Sequence, residues 1–203
     1  MRINTLRLRN LIGWAGIALP WIVAILWVIA GYGWPQSISQ TVYETLTAIP
    51  FMIILGSASA LLVSYEGYET IDDVLLTLAG IAGFLICWFP CFGYCIEDEF
   101  VCSIVHNVSA VIFFGLLAYN SFFLFTKSTG EMTQKKKMRN IIYRVCGVGM
   151  MASFLIMLLP AFHIQVWLVE TIALFFFGVS FLTKADIYPF LFCDTPFTDE
   201  EGE

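Results

Sequence analysis

The residues of this sequence whose types and spacing could do chemistry are two histidines and one glutamate. His106 and His163 are the two histidines of the chain, and Glu170 lies in an apolar stretch just after the second of them. His163, Trp167 and Glu170 are spaced i, i+4 and i+7, which puts side chains on one face of a helix. Imidazole and carboxylate groups suit zinc, so His106, His163 and Glu170 form a weak candidate metal site. Paired-histidine motifs are missing from the sequence, so we expect no cofactor and keep zinc as the weaker alternative.

Serine, tyrosine, tryptophan and asparagine side chains extend this set into a candidate ligand-binding cluster. Glu170 is its most informative member, because a carboxyl group within an apolar span is costly and faces a protein interior or a wet cavity. The alternative interpretation is a hydrogen-bonded glutamate that holds helices together. We predict that the cluster lines one outward-facing cavity. Its members are Ser37, Ser39, Tyr43, His106, Asn107, His163, Trp167 and Glu170.

Cysteines form a second group with possible chemistry. Three of them, Cys91, Cys95 and Cys102, fall between two apolar runs, on the side predicted to face outward. In most cells that side is an oxidising compartment. Cys95 and Cys102 are the candidate disulfide pair, which leaves one outer cysteine over. A zinc site built from these three cysteines and His106 is the less favoured alternative.

These residues must be positioned by membrane-spanning helices. The sequence is 59% hydrophobic and 13% charged, and its mean hydropathy is +0.82, whereas soluble domains carry about 25% charged residues. Runs of about 20 apolar residues predict spanning helices. We therefore predict an all-α fold, a single transmembrane domain of residues 1–203 in one polytopic bundle. Its six predicted helices cover about residues 11–29, 46–63, 74–89, 104–125, 141–159 and 166–182.

The distribution of basic residues predicts the orientation. The ten Lys and Arg residues lie before the first run, at the connection of the fourth and fifth runs, and after the sixth. Basic residues stay on the cytoplasmic side, so both termini are predicted to be cytoplasmic, and residues 185–203 form an acidic cytoplasmic tail. A basic start also opens signal peptides, but the length of the first run, its bulky Trp21 and Trp27, and a poor cleavage site favour a retained helix.

Five sequence segments, taken in order, resemble a widespread family of uncharacterised small bacterial six-helix membrane proteins. That family is itself distantly similar to the DRAM-like (damage-regulated autophagy modulator) membrane proteins. The resemblance implies six helices and places Ser39, His106 and Glu170 at family-pattern positions, but it implies no reaction. The cysteine-rich outer loop and Phe181 depart from the pattern. The segments are 35–39 (PQSIS), 64–68 (SYEGY), 78–90 (LAGIAG followed by WFP), 106–110 (HNVSA) and 177–184 (FGVSFLTK).

A weaker similarity, to the alkaline ceramidase and adiponectin-receptor superfamily of zinc-dependent membrane hydrolases, lacks the paired-histidine helix of that superfamily. We therefore expect a non-enzymatic integral membrane protein that binds a lipid or senses a signal through its outward-facing polar cavity. The alternatives are a metal-dependent, membrane-embedded lipid hydrolase and, less favoured, a channel or transporter. We expect a multi-pass protein of the cytoplasmic (plasma) membrane whose partner is membrane lipid, with a homo-oligomer or a membrane protein partner left open. The net charge of −6 argues against nucleic acid.

Overall fold

The computed structural model describes residues 5–67, 69–89, 99–127, 134–157 and 165–185, and the regular structure in these ranges is helical throughout. This confirms the predicted all-helical class. A short 3₁₀ helix at Ser39–Tyr43 precedes α2, and a π-helical turn at Asn120–Leu124 follows α4. The six α-helices of the described ranges are α1 Thr5–Ile29, α2 Thr45–Val63, α3 Thr70–Trp88, α4 Glu99–Tyr119, α5 Gln134–Met157 and α6 Val166–Lys184.

The helices form a closed ring. Each helix packs against the next one along the chain, and α6 packs against α1. The backbones of α1 and α6 come close at two glycines. A Cβ atom added at Gly178 would lie 2.6 Å from the carbonyl oxygen of Gly13, and one added at Gly13 would lie 2.9 Å from that of Gly178. Small residues of this kind let membrane helices approach each other closely, and here they close the ring.

The ring has two chemically different ends. At the end that we call the loop end, the first loop (residues 30–44) meets the start of α6, where Trp167 N–H donates to the carbonyl oxygen of Gln36 at 2.7 Å. At the opposite end, which we call the basic end, Lys127 forms an ion pair with Glu69 at 2.6 Å. Lys184 lies at the basic end too, with its ammonium nitrogen 4.8 Å from the ring centre of Phe125.

Five of the helices are long and apolar enough to cross a membrane. These stretches are Leu6–Ile29, Thr45–Val63, Thr70–Trp88, Phe100–Leu124 and Val166–Lys184. The described part of α5 is not among them. It starts with a basic turn, Lys135 to Lys137, and ends at Met157, whereas the apolar run continues to residue 159. The chain is thus a helical bundle with five candidate membrane spans among its described residues.

Four of the described helices begin well before their apolar runs. The first starts at Thr5, where the run starts at residue 11, and the third starts at Thr70, where the run starts at residue 74. The fourth starts at Glu99, where the run starts at residue 104, and the fifth starts at Gln134, where the run starts at residue 141. The reason is visible at α3: the Glu69 carboxylate accepts from a backbone N–H of the first turn, and Asp72 accepts from the Glu69 N–H at 3.3 Å. This capping box satisfies N–H groups that a helix start leaves unpaired. Hydropathy marks where a helix is apolar, and capping decides where it begins.

The π-helical turn after α4 joins three helices through hydroxyl groups. The Ser121 hydroxyl donates to the carbonyl oxygen of Tyr143 in α5 at 2.9 Å, and its oxygen lies 2.7 Å from the Ser180 hydroxyl of α6. Since the Ser121 proton is used by Tyr143, Ser180 is the donor in the second bond. This buried chain of hydrogen bonds joins the turn after α4 to α5 and α6, away from the loop end.

Candidate functional site

The first loop is held against α6 by two hydrogen bonds. Trp167 N–H, one of the N–H groups that a helix start leaves unpaired, donates to Gln36 as described above. One turn further along α6, the Glu170 carboxylate accepts from the Ile38 N–H, with 2.6 Å between Oε2 and the nitrogen. The start of α6 therefore fixes the position of residues 36–38.

The same loop is ordered internally by its own polar side chains. Gln36 N–H donates to the side-chain oxygen of Gln40 at 2.8 Å, and Gln40 N–H donates to the Ser37 hydroxyl oxygen at 3.0 Å. The Thr41 hydroxyl donates to the Ile38 carbonyl oxygen at 2.7 Å. Short polar side chains stabilise turns in this way. These bonds hold Ser39, which lies between Ile38 and Gln40, in one defined position.

Ser39 meets His106, which the sequence separates from it by 67 positions. The Ser39 hydroxyl oxygen lies 3.0 Å from Nε2 of His106. The other ring nitrogen, Nδ1, lies 2.8 Å from the carbonyl oxygen of Phe89 at the end of α3. Both side chains are buried from bulk solvent, with 8% of Ser39 and 5% of His106 exposed. Three separate elements, the first loop, α3 and α4, therefore build this pair.

Ser39, His106 and Glu170 share the lining of one cavity of about 430 Å³ at the loop end. Its polar wall comes from the first loop and from the starts of α4 and α6. Its apolar wall comes from α1, α2, α3, α4 and α6. The polar group is Gln36, Ser37, Ser39, Gln40, Tyr43, His106, Asn107 and Glu170, and the apolar group includes Leu19, Phe51, Leu55, Ile86, Phe113 and Leu174. The cavity is thus lined by both polar and apolar side chains.

Most members of the predicted cluster meet in this cavity. Those that line it are Ser37, Ser39, Tyr43, His106, Asn107 and Glu170. Ligand binding by these residues stays a prediction. Glu170 combines the two interpretations offered for it, because it holds the first loop and also faces the cavity.

Two members of the predicted cluster are not among the described residues that line the cavity. Trp167 is buried beside the cavity, with its ring centre 5.5 Å from that of Trp21 and 4.8 Å from that of Trp34. Three positions of an α-helix turn the side chain by roughly 300°, which sets Trp167 to the side of Glu170. His163 lies outside the described residues, so its part in the cluster stays a prediction.

The candidate zinc site, like the role of His163, stays a prediction. In the parts of the chain that the structure describes, no three His, Cys, Asp or Glu side chains are placed to hold a metal ion. Both ring nitrogens of His106 already have hydrogen-bond partners. A metal ion at His106 would therefore have to displace Ser39 or Phe89. The third candidate ligand, His163, lies outside the described residues.

Sequence reasoning missed two partners that are backbone atoms. The carbonyl oxygen of Phe89 orients the His106 ring, and the N–H of Ile38 binds Glu170. Every residue except proline carries both groups, so residue types contain no signal for them. Proline has only the carbonyl group.

Comparison with known proteins adds no identification: no protein-family model, no curated protein and no solved structure matches this chain. The resemblance to the uncharacterised six-helix membrane protein family therefore stays an expectation.

The disulfide bond of Cys102 leads to a first testable prediction. Cys102 is disulfide-bonded, and Cys87 and Cys146 are free thiols; Cys95 lies outside the described residues, so its pairing with Cys102 stays a prediction. We expect Cys95→Ser to liberate the Cys102 thiol and to cost about 2–3 kcal/mol of stability. Alkylation without reduction, followed by mass spectrometry, measures the thiol. Cys91→Ser is the matched control and should leave Cys102 blocked, whereas a blocked Cys102 in Cys95→Ser would contradict the pairing.

Proposed function

We propose that this protein spans the cytoplasmic membrane six times, with both termini inside, and binds a neutral amphiphilic lipid from the outer leaflet. The observation that carries the proposal is the cavity at the loop end, which is lined by both polar and apolar side chains. Ligand sites are typically concave, mostly apolar and furnished with a few placed polar groups. A molecule with a polar head and an acyl chain matches both walls.

The sixth span in this proposal is α5. It packs between α4 and α6 in a ring whose other five helices are candidate spans. The exposed face of α5 is apolar as well, since Val145, Val148 and Leu155 are each more than half exposed. Soluble proteins rarely expose contiguous apolar surface of this kind. A lipid environment around the whole ring explains it.

The ends of the ring support the orientation. The basic end carries Arg9, Lys127, Lys136 and Lys184, all within the described residues. The residues that line the cavity at the loop end include no lysine or arginine. The positive-inside rule then assigns the basic end to the cytoplasm, and the cavity faces outward.

The titratable side chains that line the cavity indicate which kind of head group it can bind. The titratable side chains of the cavity are a carboxyl group, an imidazole and a phenol, from Glu170, His106 and Tyr43. A phosphate group is usually bound by arginine or lysine, and neither lines this cavity. The lining favours a neutral head group with hydroxyl or ester groups, such as that of a monoacylglycerol.

Photo-crosslinking tests the lipid-binding proposal. Purified protein in mild detergent is mixed with a monoacylglycerol that carries a diazirine on its acyl chain, irradiated and mapped by mass spectrometry. We expect adducts on the apolar wall of the cavity. Ala110→Trp, which fills the cavity, should lower labelling about tenfold, the effect of roughly 1.4 kcal/mol.

The matched control lies one residue further along α4. Val111 is 47% exposed and does not line the cavity, so Val111→Trp should leave labelling unchanged. Excess unlabelled monoacylglycerol should compete with the probe, and phosphatidylglycerol should not. Equal labelling of the two tryptophan variants would overturn the proposed binding site.

A second prediction concerns the orientation of the protein in the membrane. It is measured with cysteines introduced at exposed positions. Gln36→Cys and Gln165→Cys lie at the loop end and Glu66→Cys at the basic end, and all three positions are exposed. The first two should react with an impermeant maleimide in intact cells, and the third only after lysis. Peptide mapping separates the introduced cysteines from the native ones. Reaction at position 66 in intact cells would reverse the orientation.

A further inference from the structure

The Ser39–His106 pair has an arrangement that ligand binding alone does not require. A carbonyl oxygen can only accept, so Nδ1 of His106, 2.8 Å from the Phe89 carbonyl oxygen, carries a proton and donates it. In a neutral ring the other nitrogen then has a free lone pair. Nε2 therefore accepts the hydrogen bond from the Ser39 hydroxyl, 3.0 Å away. The tautomer is set by the α3 backbone.

This is the geometry of an activated nucleophile. Catalytic nucleophile and base side chains lie within about 2.6–3.2 Å of each other, and a third group orients the base. Here the third group is a backbone carbonyl, which holds the ring as a carboxylate does elsewhere. Ser39 and His106 both line the cavity, so a ligand in the cavity lies beside the pair.

We propose that Ser39 and His106 are the nucleophile and the general base of an acyl-transfer reaction on a neutral ester lipid. The inference rests on the proposed function, since it needs such a lipid in this cavity. It requires neither a metal ion nor a redox partner. Its residues come from the first loop and from α4.

The reaction has two balanced steps. In the first, Ser39 Oγ bonds to the ester carbonyl carbon and its proton passes to Nε2 of His106. The bond to the leaving alcohol then breaks, and the alcohol takes the proton from Nε2. In the second, a water molecule gives a proton to Nε2 and attacks the acyl-Ser39 ester, Ser39 regains the proton, and a fatty acid leaves. The net reaction is ester and water to acid and alcohol.

Two neighbours have supporting roles. Asn107 lines the cavity beside His106, and its amide nitrogen donates to the Ser103 hydroxyl at 3.3 Å. An amide nitrogen has two hydrogens, so a second one is present to stabilise the oxyanion that forms during attack. Glu170 is a positioning residue, because it acts on Ser39 through the Ile38 N–H.

An alkyl fluorophosphonate probe tests the proposal directly, because it reacts selectively with activated serines. The full-length protein in mild detergent is treated with the probe, and the modified residue is mapped by mass spectrometry. We expect modification of Ser39. His106→Ala should slow it by about 10²- to 10⁴-fold, the usual contribution of a general base. Ser39→Ala should abolish it.

The control is Ser153→Ala, since Ser153 lies in α5 away from the cavity and donates to the Gly149 carbonyl oxygen. It should react as the unaltered protein does. Circular dichroism and size-exclusion chromatography show whether each variant is folded. If His106→Ala is misfolded, Ser39→Cys replaces it: the thiol introduced at this position should react with iodoacetamide at neutral pH faster than the Cys87 thiol.

The outcomes separate this inference from the proposed function. An unmodified Ser39 in protein that still crosslinks to monoacylglycerol would overturn the dyad and leave lipid binding intact. Modification of a different serine, or an equal rate in His106→Ala, would overturn it as well. Modified Ser39 together with failed lipid crosslinking would overturn the ester-lipid substrate and the proposed function together.

Discussion

Replacing Glu170 with leucine is expected to loosen the first loop and disrupt lipid binding, although it removes a costly carboxyl group from an apolar helix. Glu170 Oε2 accepts the Ile38 N–H at 2.6 Å. Leucine would leave that N–H without its acceptor, which costs about 1–3 kcal/mol when the group is buried. The polar wall of the cavity depends on this loop, so its loss removes the ligand site too.

Glu170→Gln is the matched control for this prediction. The glutamine side chain keeps an oxygen that can accept the same hydrogen bond, and it cannot ionise. We expect Glu170→Gln to retain the thermal stability and crosslinking of the unaltered protein, and Glu170→Leu to lose both. Thermal unfolding in detergent and monoacylglycerol crosslinking measure the two effects. A Glu170→Leu protein with unchanged stability and labelling would show that the Ile38 bond holds nothing in place.

The second large effect is expected where the ring closes. Gly178→Leu should separate α1 from α6, because a Cβ at residue 178 would lie 2.6 Å from the Gly13 carbonyl oxygen and 2.5 Å from the Ile17 side chain. Overpacking of this kind costs about 1–3 kcal/mol, and sometimes more. Since α6 holds the first loop, opening this contact should also weaken lipid binding.

Gly56→Leu is the matched control on α2. A Cβ at residue 56 would meet no atom within 4 Å apart from its chain neighbours and the backbone of its own helix. Leucine forms helices better than glycine by up to about 1 kcal/mol in either place, so the difference between the two variants isolates the packing effect. We expect a lower melting temperature and a broadened size-exclusion peak for Gly178→Leu alone. Similar behaviour of the two variants would contradict close packing of α1 and α6.

Several features of this protein follow from the sequence by itself. Long apolar runs predict helices, because the backbone must pair its own polar groups where water is excluded. Hydropathy is summed over about 20 neighbouring residues, so it needs no knowledge of distant contacts. The cluster of Ser39, His106 and Glu170 was likewise visible, because polar side chains beside apolar runs stand out by type.

The tertiary structure alone decided which of these groups meet. Ser39 and His106 are 67 positions apart, and Ile38 and Glu170 are 132 apart. Such pairs depend on how the ring closes and on how the first loop packs against it. The decisive partners at Phe89 and Ile38 are backbone atoms, which are alike in nearly every residue. Residue type therefore predicts the candidates for chemistry, and the packing of the helices decides which atoms face each other.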